Sequence, residues 1–324
     1  MIRPLAAVLA LFSAASASAG PAPLIVAAGN QPEYTQVIKD VSELSGLTWA
    51  KEDLYYGVSD SQPGIFPLRL TIDPESGMLT RVRREADIPV TTALTDFEDI
   101  AYDTAKNRLF VSTERTPSVT CFSLKGGKPL TSPVLPEIYQ KARFNKAMEA
   151  LTREPATGKL WTANEDTLTP DGEPSGAQHG GVVRLQEFEA SGKPARQFVW
   201  QTDAPNSKLG GGGTGLTGLC ALPGGELIVM ERVVTNLHLE TRLYLAMIGA
   251  ATDVSEIASL ANAKYTPVQK RLLFSKNTGI TNYEGIAAGP VLKDGSRSLI
   301  LVADNGIGDR HVFMALKVAA SAAK

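Results

Sequence analysis

At 324 residues the chain has room for one large all-β domain or two ordinary ones. A hydrophobic content of 43% supports a packed core, and 20% charged residues is usual for a globular chain. A formal net charge of −2 removes any electrostatic case for binding nucleic acid or an anionic membrane.

The chain begins with Arg3, a short apolar run from Pro4 to Phe12, and a small-residue stretch ending Ala17-Ser18-Ala19. A positive start, a short apolar segment and an Ala-x-Ala site predict a secretory signal peptide over residues 1–19, cleaved after Ala19. The run is too short to span a bilayer. The domain then covers residues 20–324, and the protein is expected in the periplasm or outside the cell. Export permits a disulfide between the two cysteines, Cys121 and Cys220. They fall in repeats that are not neighbours, so two buried free thiols are expected.

After an apolar strand at Leu24–Ala28, one hairpin pattern recurs five times. A short polar or acidic step leads into an apolar strand, and a second strand ends on another acid. Ser45 leads to Tyr55–Asp60, Glu98 to Leu109–Glu114, and Glu149 to Leu160–Glu165. Thr217 leads to Leu227–Glu231, and Glu284 to Leu299–Asp304. Further strands follow each hairpin: Phe66–Ile72 and Thr80–Arg83 in the first copy, Ser118–Leu124 and a fourth near Ser132–Ile138 in the second. The third adds Gly181–Leu185 and Arg196–Trp200, and the fourth Thr241–Ala246, a short helix near Asp253–Ala263, and Gln269–Ser275. The last has only His311–Lys317, so the N-terminal strand is expected to complete it.

Four short antiparallel strands per repeat predict an all-β fold, a single β-propeller. The copies start at intervals of roughly 50–70 residues, enough for one blade and too short for two. The prediction is five blades closed by the N-terminal strand, which removes the open sheet edge. Six blades is the alternative.

In such a ring the start of each first strand and the end of each second strand share one rim. Eight carboxylates and two hydroxyls, the latter from Ser45 and Thr217, are then expected around one mouth. Carboxylates held that close repel unless protons or cations intervene. All-oxygen ligands suit a hard divalent cation, calcium before magnesium or manganese. The nearby bases Arg115, Lys146, Arg232 and Arg310 can instead pair with the acids as a scaffold or hold an anionic substrate. The run Gly210–Gly215 reads as a flexible rim loop, because no Gly-Lys-Ser/Thr follows it. His311 can reach the channel, whereas His179 and His238 read as surface residues.

The segments Leu44–Leu47, Asp96–Ile100, Asn145–Leu151, Glu226–Arg232 and Asn282–Ile286 together resemble the phytase-like family, described by an esterase-like activity of phytase. Ala147 and Ala150 stand here where glycines are expected around Glu149, and Thr217 where an acid or serine is common. The resemblance implies an exported propeller with phosphoester or ester hydrolase activity and calcium dependence. The resulting expectation is a metal-dependent hydrolase of phosphoric or carboxylic esters acting at the channel mouth. Glu98, Glu149, Glu284 and Asp304 are its metal ligands, Glu165 the general base, and Arg115 and Arg232 the groups that neutralise charge on the substrate. The expected partner is a small ester or phosphoester, with no nucleic acid, no membrane after signal removal, and a monomeric chain. The competing expectation is a non-catalytic propeller that captures a ligand or protein at the same mouth.

Overall fold

The computed structural model describes residues 24–304 and 309–319. The predicted signal peptide lies outside the described residues. Strands β1 (Leu24–Ala27) and β2 (Glu33–Val37) precede four consecutive four-stranded sheets. Blade one is β3 (Leu44–Lys51), β4 (Leu54–Ser59), β5 (Phe66–Ile72) and β6 (Leu79–Arg84). Blade two is β7 (Phe97–Asp103), β8 (Arg108–Thr113), β9 (Ser118–Ser123) and β10 (Pro129–Leu130). Blade three is β11 (Met148–Arg153), β12 (Leu160–Asn164), β13 (Val182–Phe188) and β14 (Pro194–Gln201). Blade four is β15 (Gly213–Ala221), β16 (Leu227–Val234), β17 (Leu239–Met247) and β18 (Gln269–Gly279).

Blade five is built from both ends of the chain. Strands β19 (Tyr283–Val291), β20 (Arg297–Ala303) and β21 (Arg310–Ala319) come from the C-terminal side. Its outer position is filled by β1, which pairs with Leu316–Ala319, and β2, which pairs with Arg310–Met314. Two short strands thus lie end to end along one long partner. Only the first was legible, because β2 (Glu33-Tyr34-Thr35-Gln36-Val37) is polar and mostly exposed.

The sequence pattern follows from the stacking of blades. Strands β4 and β12 are buried on both faces, and each reads as a near-continuous apolar run. The outer strand β6 buries only Leu79 and Val82 and exposes Thr80, Arg81 and Arg83, as expected of a half-solvated strand. Apolar clusters fill each gap between neighbouring blades; Tyr55, Leu68, Ile300 and Phe313, for example, close the gap between blades five and one.

Two predicted elements differ. The fourth strand of blade two is the two-residue β10, not Ser132–Ile138, because Pro133 and Pro136 cannot donate to a ladder. The Ser132 hydroxyl instead accepts from the Cys121 amide at 2.9 Å. Residues 253–263 form an irregular loop rather than a helix. Its backbone serves the buried Arg184–Asp171 ion pair: Arg184 Nη2 donates to Ile257 O at 2.8 Å, and the Leu260 amide donates to Asp171 Oδ1 at 3.0 Å. Both cysteines are buried and free, as expected.

Candidate functional site at the channel mouth

Every first strand opens with a β-bulge. The ladder skips a residue between Leu44 and Gly46, Met148 and Ala150, Leu216 and Gly218, and Tyr283 and Gly285, and skips two between Phe97 and Ile100. The skipped residues are Ser45, Glu98 with Asp99, Glu149, Thr217 and Glu284, all of them buried. A bulge frees a side chain from the alternation of the strand and re-aims it. The first strands crowd together just beyond these positions. A Cβ on Gly46 would lie 2.5 Å from the Asp99 Cα, and one on Gly285 would lie 2.8 Å from the Ser45 carbonyl oxygen.

The second-strand positions follow from register. Leu44, Phe97, Met148 and Tyr283 lie opposite Ser59, Thr113, Asn164 and Ala303, and the next residues are Asp60, Glu114, Glu165 and Asp304. In blade four Leu216 lies opposite Glu231, so the equivalent residue is Arg232. This corrects the sequence reading, which set Glu231 at the mouth. Glu231 instead accepts from Trp200 Nε1 and Lys270 Nζ, both at 2.9 Å, and from the Asp203 amide at 3.2 Å. One step along a strand reverses the face. The mouth therefore carries seven of the expected carboxylates (Asp60, Glu98, Glu114, Glu149, Glu165, Glu284 and Asp304), with an arginine where the eighth was expected.

One side of the mouth is ion-paired. Arg232 Nη2 donates to Glu165 Oε1 at 2.5 Å, and Arg232 Nη1 donates to Glu284 Oε1 and to Asn282 Oδ1. Lys146 Nζ donates to Glu165 Oε2 at 2.6 Å. Burial alone would raise Glu165, but Arg232 and Lys146 outweigh it and hold the carboxyl below its ordinary value. Glu284 shares its arginine; burial and the nearby Asp304 and Glu165 push it up to about 8.

The other side is acid against acid. Neither Glu98 nor Glu149 has an ion-pair partner among the described residues. Burial drives both well above the usual carboxylate range, and neighbouring carboxylates add to the effect, Glu284 first for Glu98 and Glu98 first for Glu149. Glu114 accepts from the Ala147 amide at 2.8 Å, yet burial, with Glu165 and Asp96, pushes it up to about 7. Asp60 is likewise raised to about 7 by burial and Asp304, and its Oδ1 is buried without a hydrogen-bond partner. Arg115 stands at the outer lip, 73% exposed and 3.7 Å from Asp96.

These residues fit a hard divalent cation. Oxygens of Asp96, Glu98 and Glu114 lie within 4.8 Å of one another, and so do those of Glu114, Glu149 and Glu165. The donor set is all oxygen and mostly buried, and burial together with like charge raises Glu98, Glu114 and Glu149, which is the condition a cation relieves. Glu98 and Glu149 thus lie without an ion-pair partner, Glu284 is paired with Arg232, and Asp304 is near enough to Glu284 and Asp60 to raise both. Asp96 was overlooked as a ligand; it adopts a left-handed φ of 66°, which aspartate tolerates, just before its bulge. Asp99 was also overlooked. Its carboxylate lies below the rim, where Oδ1 accepts from the Ile100 amide and Oδ2 from the Leu151 amide, each at 2.8 Å. His311 does not enter the channel: its Nε2 donates to the Val41 carbonyl at 3.0 Å.

The family model for the phytase-like proteins, described as esterase-like activity of phytase, matches residues 39–307, from the lead-in of blade one to the second hairpin strand of blade five. The chain belongs to the phytase-like family. No curated protein matches this phytase-like propeller. Among solved structures it is similar to a nidogen/laminin complex chain, at 12% identity and TM-score 0.42 over 87% of this chain and 88% of that one. It is also similar to a luciferin-regenerating enzyme, at 15% identity and TM-score 0.42 over 90% and 97%. The tail fibre of Staphylococcus aureus phage P68 matches at 12% identity and TM-score 0.43 over 89% of this chain and 53% of that one. Likenesses at this level carry no argument about activity.

Proposed function

We propose that this phytase-like propeller is an exported hydrolase of phosphoric or carboxylic esters that works at the acidic mouth with a divalent cation, calcium before others. The observation that carries the reading is the buried group Glu98, Glu114 and Glu149, gathered at the mouth with no ion-pair partner among the described residues. These three, with Asp96, would hold the ion, and Glu284 and Asp304 flank it. A divalent ion there supplies Lewis-acid polarisation of an ester oxygen and acidifies a bound water.

The chain's own groups divide the remaining work. Arg232 is held by Glu165 and Glu284, and its Nε is buried and unpaired, a donor available to charge that develops on a substrate oxygen. Glu165 stays ionised between Arg232 and Lys146, so it acts as a positioning residue rather than as the base expected from the sequence. Asp60, with an unpaired Oδ1 and a carboxyl that burial and Asp304 raise to about 7, is the better general base. Arg115 at the lip steers anionic substrate inward.

A second reading is supported by a different observation. Phe144 (94% exposed), Leu209, Leu237 and Ile280 (85% exposed) sit in loops on the mouth face, as in a propeller that docks a ligand or protein without turnover. Metal analysis of the purified protein, then a panel of esters and phosphoesters with and without chelator, separates the two. The hydrolase reading expects bound metal and turnover lost on chelation. Turnover indifferent to chelator removes the metal, and metal without turnover on any ester leaves the binding reading.

A further inference from the structure

The far end of the channel holds a cavity of about 490 Å³, in the range of small-molecule sites. All five first strands line it, so it lies on the propeller axis, opposite the acidic mouth. Leu47, Ile100, Leu151 and Ile286 supply apolar wall, and Trp49 and Tyr102 supply aromatic surface. The charge here has the opposite sign to that of the mouth. Arg297 lies over the Trp49 ring, 5.7 Å from its centroid, donates to the Gly289 carbonyl, and has no carboxylate partner among the described residues. Arg153 lines the cavity too; it shares the buried Asp103 with Arg108, at 3.1 Å and 3.0 Å, so two guanidiniums face one carboxylate. The neighbouring Glu154 is turned aside, accepting from Trp161 Nε1 at 2.7 Å.

Between the two ends neighbouring first strands touch one another. The Asp99 carboxylate bridges from blade two to the Leu151 amide of blade three, and Gly46 and Gly285 bring neighbouring backbones into contact. None of the mouth carboxylates lines this cavity, so a ligand of the basic end is distinct from one held at the mouth.

We propose that this cavity is a second binding site, for a small organic anion with an apolar or aromatic body. Its anionic group sits between Arg297 and Arg153, and its body lies along Trp49 and the aliphatic wall. An apolar pocket with a few fixed polar groups is the usual form of a small-molecule site. Carboxylate and phosphate share this chemistry, and either serves.

The probe is 8-anilinonaphthalene-1-sulfonate, with the uncharged N-phenyl-1-naphthylamine as its counterpart of the same body. Trp49 reports the site, since it lines the cavity and the other two tryptophans, Trp161 and Trp200, do not. The sulfonate should quench Trp49 saturably and should bind about ten-fold or more tighter than the neutral dye, the effect of one charge-assisted contact. Arg297→Gln should weaken the sulfonate by a similar factor, while Arg83→Gln on the outside of blade one leaves it unchanged. Calcium and chelator should not alter it, which keeps this result independent of the metal at the mouth. Equal affinity for the neutral dye on the wild type overturns the proposal without any variant. An unaffected Arg297→Gln that melts like wild type overturns it as well, and so does a loss in Arg83→Gln as large as that in Arg297→Gln.

Discussion

Arg232 and Glu149 stand at equivalent levels of the mouth and make opposite demands. Arg232 bridges Glu165 and Glu284, so removing it leaves two buried carboxylates with less compensation. Arg232→Met should lower stability by about 3–5 kcal/mol, and adding Glu165→Gln should recover part of that loss. Urea unfolding of the single and double variants checks it; a near-neutral Arg232→Met would mean that the bridge is not formed. Glu149 has no ion-pair partner among the described residues, and burial with the neighbouring carboxylates keeps its pKa well above the usual range. Calcium at a hundred times its dissociation constant should add about 2.7 kcal/mol to the wild type, a rise of several degrees in melting temperature for a chain this size. Glu149→Gln should lose most of that gain and should melt above wild type in chelator, because it removes one repelling charge. Melts of both proteins in calcium and in chelator decide the point: no calcium effect, with a metal-free variant that melts lower, would make the mouth a salt-bridged scaffold.

At the scale of the element, the bulge is the device that turns a repeated strand into a ring of aimed side chains. It sets an acid or hydroxyl out of the ladder and brings the next residue against the neighbouring blade. Gly46 is hemmed in by backbone, whereas Gly249 has nothing within 4 Å of an added Cβ. Gly46→Ala should therefore cost about 1–3 kcal/mol through forced backbone movement, and Gly249→Ala should be close to neutral. Denaturation midpoints of the pair check this. Equal effects would show that the first strands are free to spread. The same elements are stitched to their neighbours: the Tyr102 amide donates to Thr48 Oγ1 at 3.3 Å, and the Ala221 amide to Thr152 Oγ1 at 3.0 Å.

For the molecule as a whole, closure is shared by three segments: β1 and β2 on β21, and His311 of β21 on the lead-in to blade one. Burial lowers the His311 pKa below its ordinary 6.5, against a smaller opposite effect from the Val41 carbonyl and Asp309. The unfolded chain then takes up a proton that the folded one refuses. Stability from this residue is present above pH 6.5 and is lost as pH falls below it. His311→Gln keeps a donor for Val41 but does not titrate. The stability of wild type minus that of the variant should fall between about pH 7 and pH 5, with the mouth carboxylates cancelling because both proteins carry them. A flat difference, read from unfolding curves across that range, would place His311 in water rather than in the closure.

The five-blade ring was legible from residue pattern alone. Strands sandwiched between blades must be apolar on both faces, and the turns between them must be polar, so repetition writes itself into the chain. Closure by Leu24–Ala27 was legible as well, because the last repeat lacks a strand and the first apolar run lacks a partner. The polar β2 was not, since its stability comes from pairing with β21 rather than from burial. Nor was the irregular path of 253–263, whose backbone is ordered by Arg184 and Asp171, more than sixty residues away in sequence. At the mouth, the kinds of residue were evident from the sequence, but their assignment was not. Whether Glu231 or Arg232 faces the channel depends on where the bulge falls, a shift of one residue that reverses a side chain and that local sequence does not encode. Which acids are neutralised and which are left crowded depends on where Arg232 reaches across blades to Glu165 and Glu284 and where Lys146 reaches Glu165. Only the tertiary structure decides that, because Arg232 is more than fifty residues from Glu165 and from Glu284 and meets them only where neighbouring blades pack.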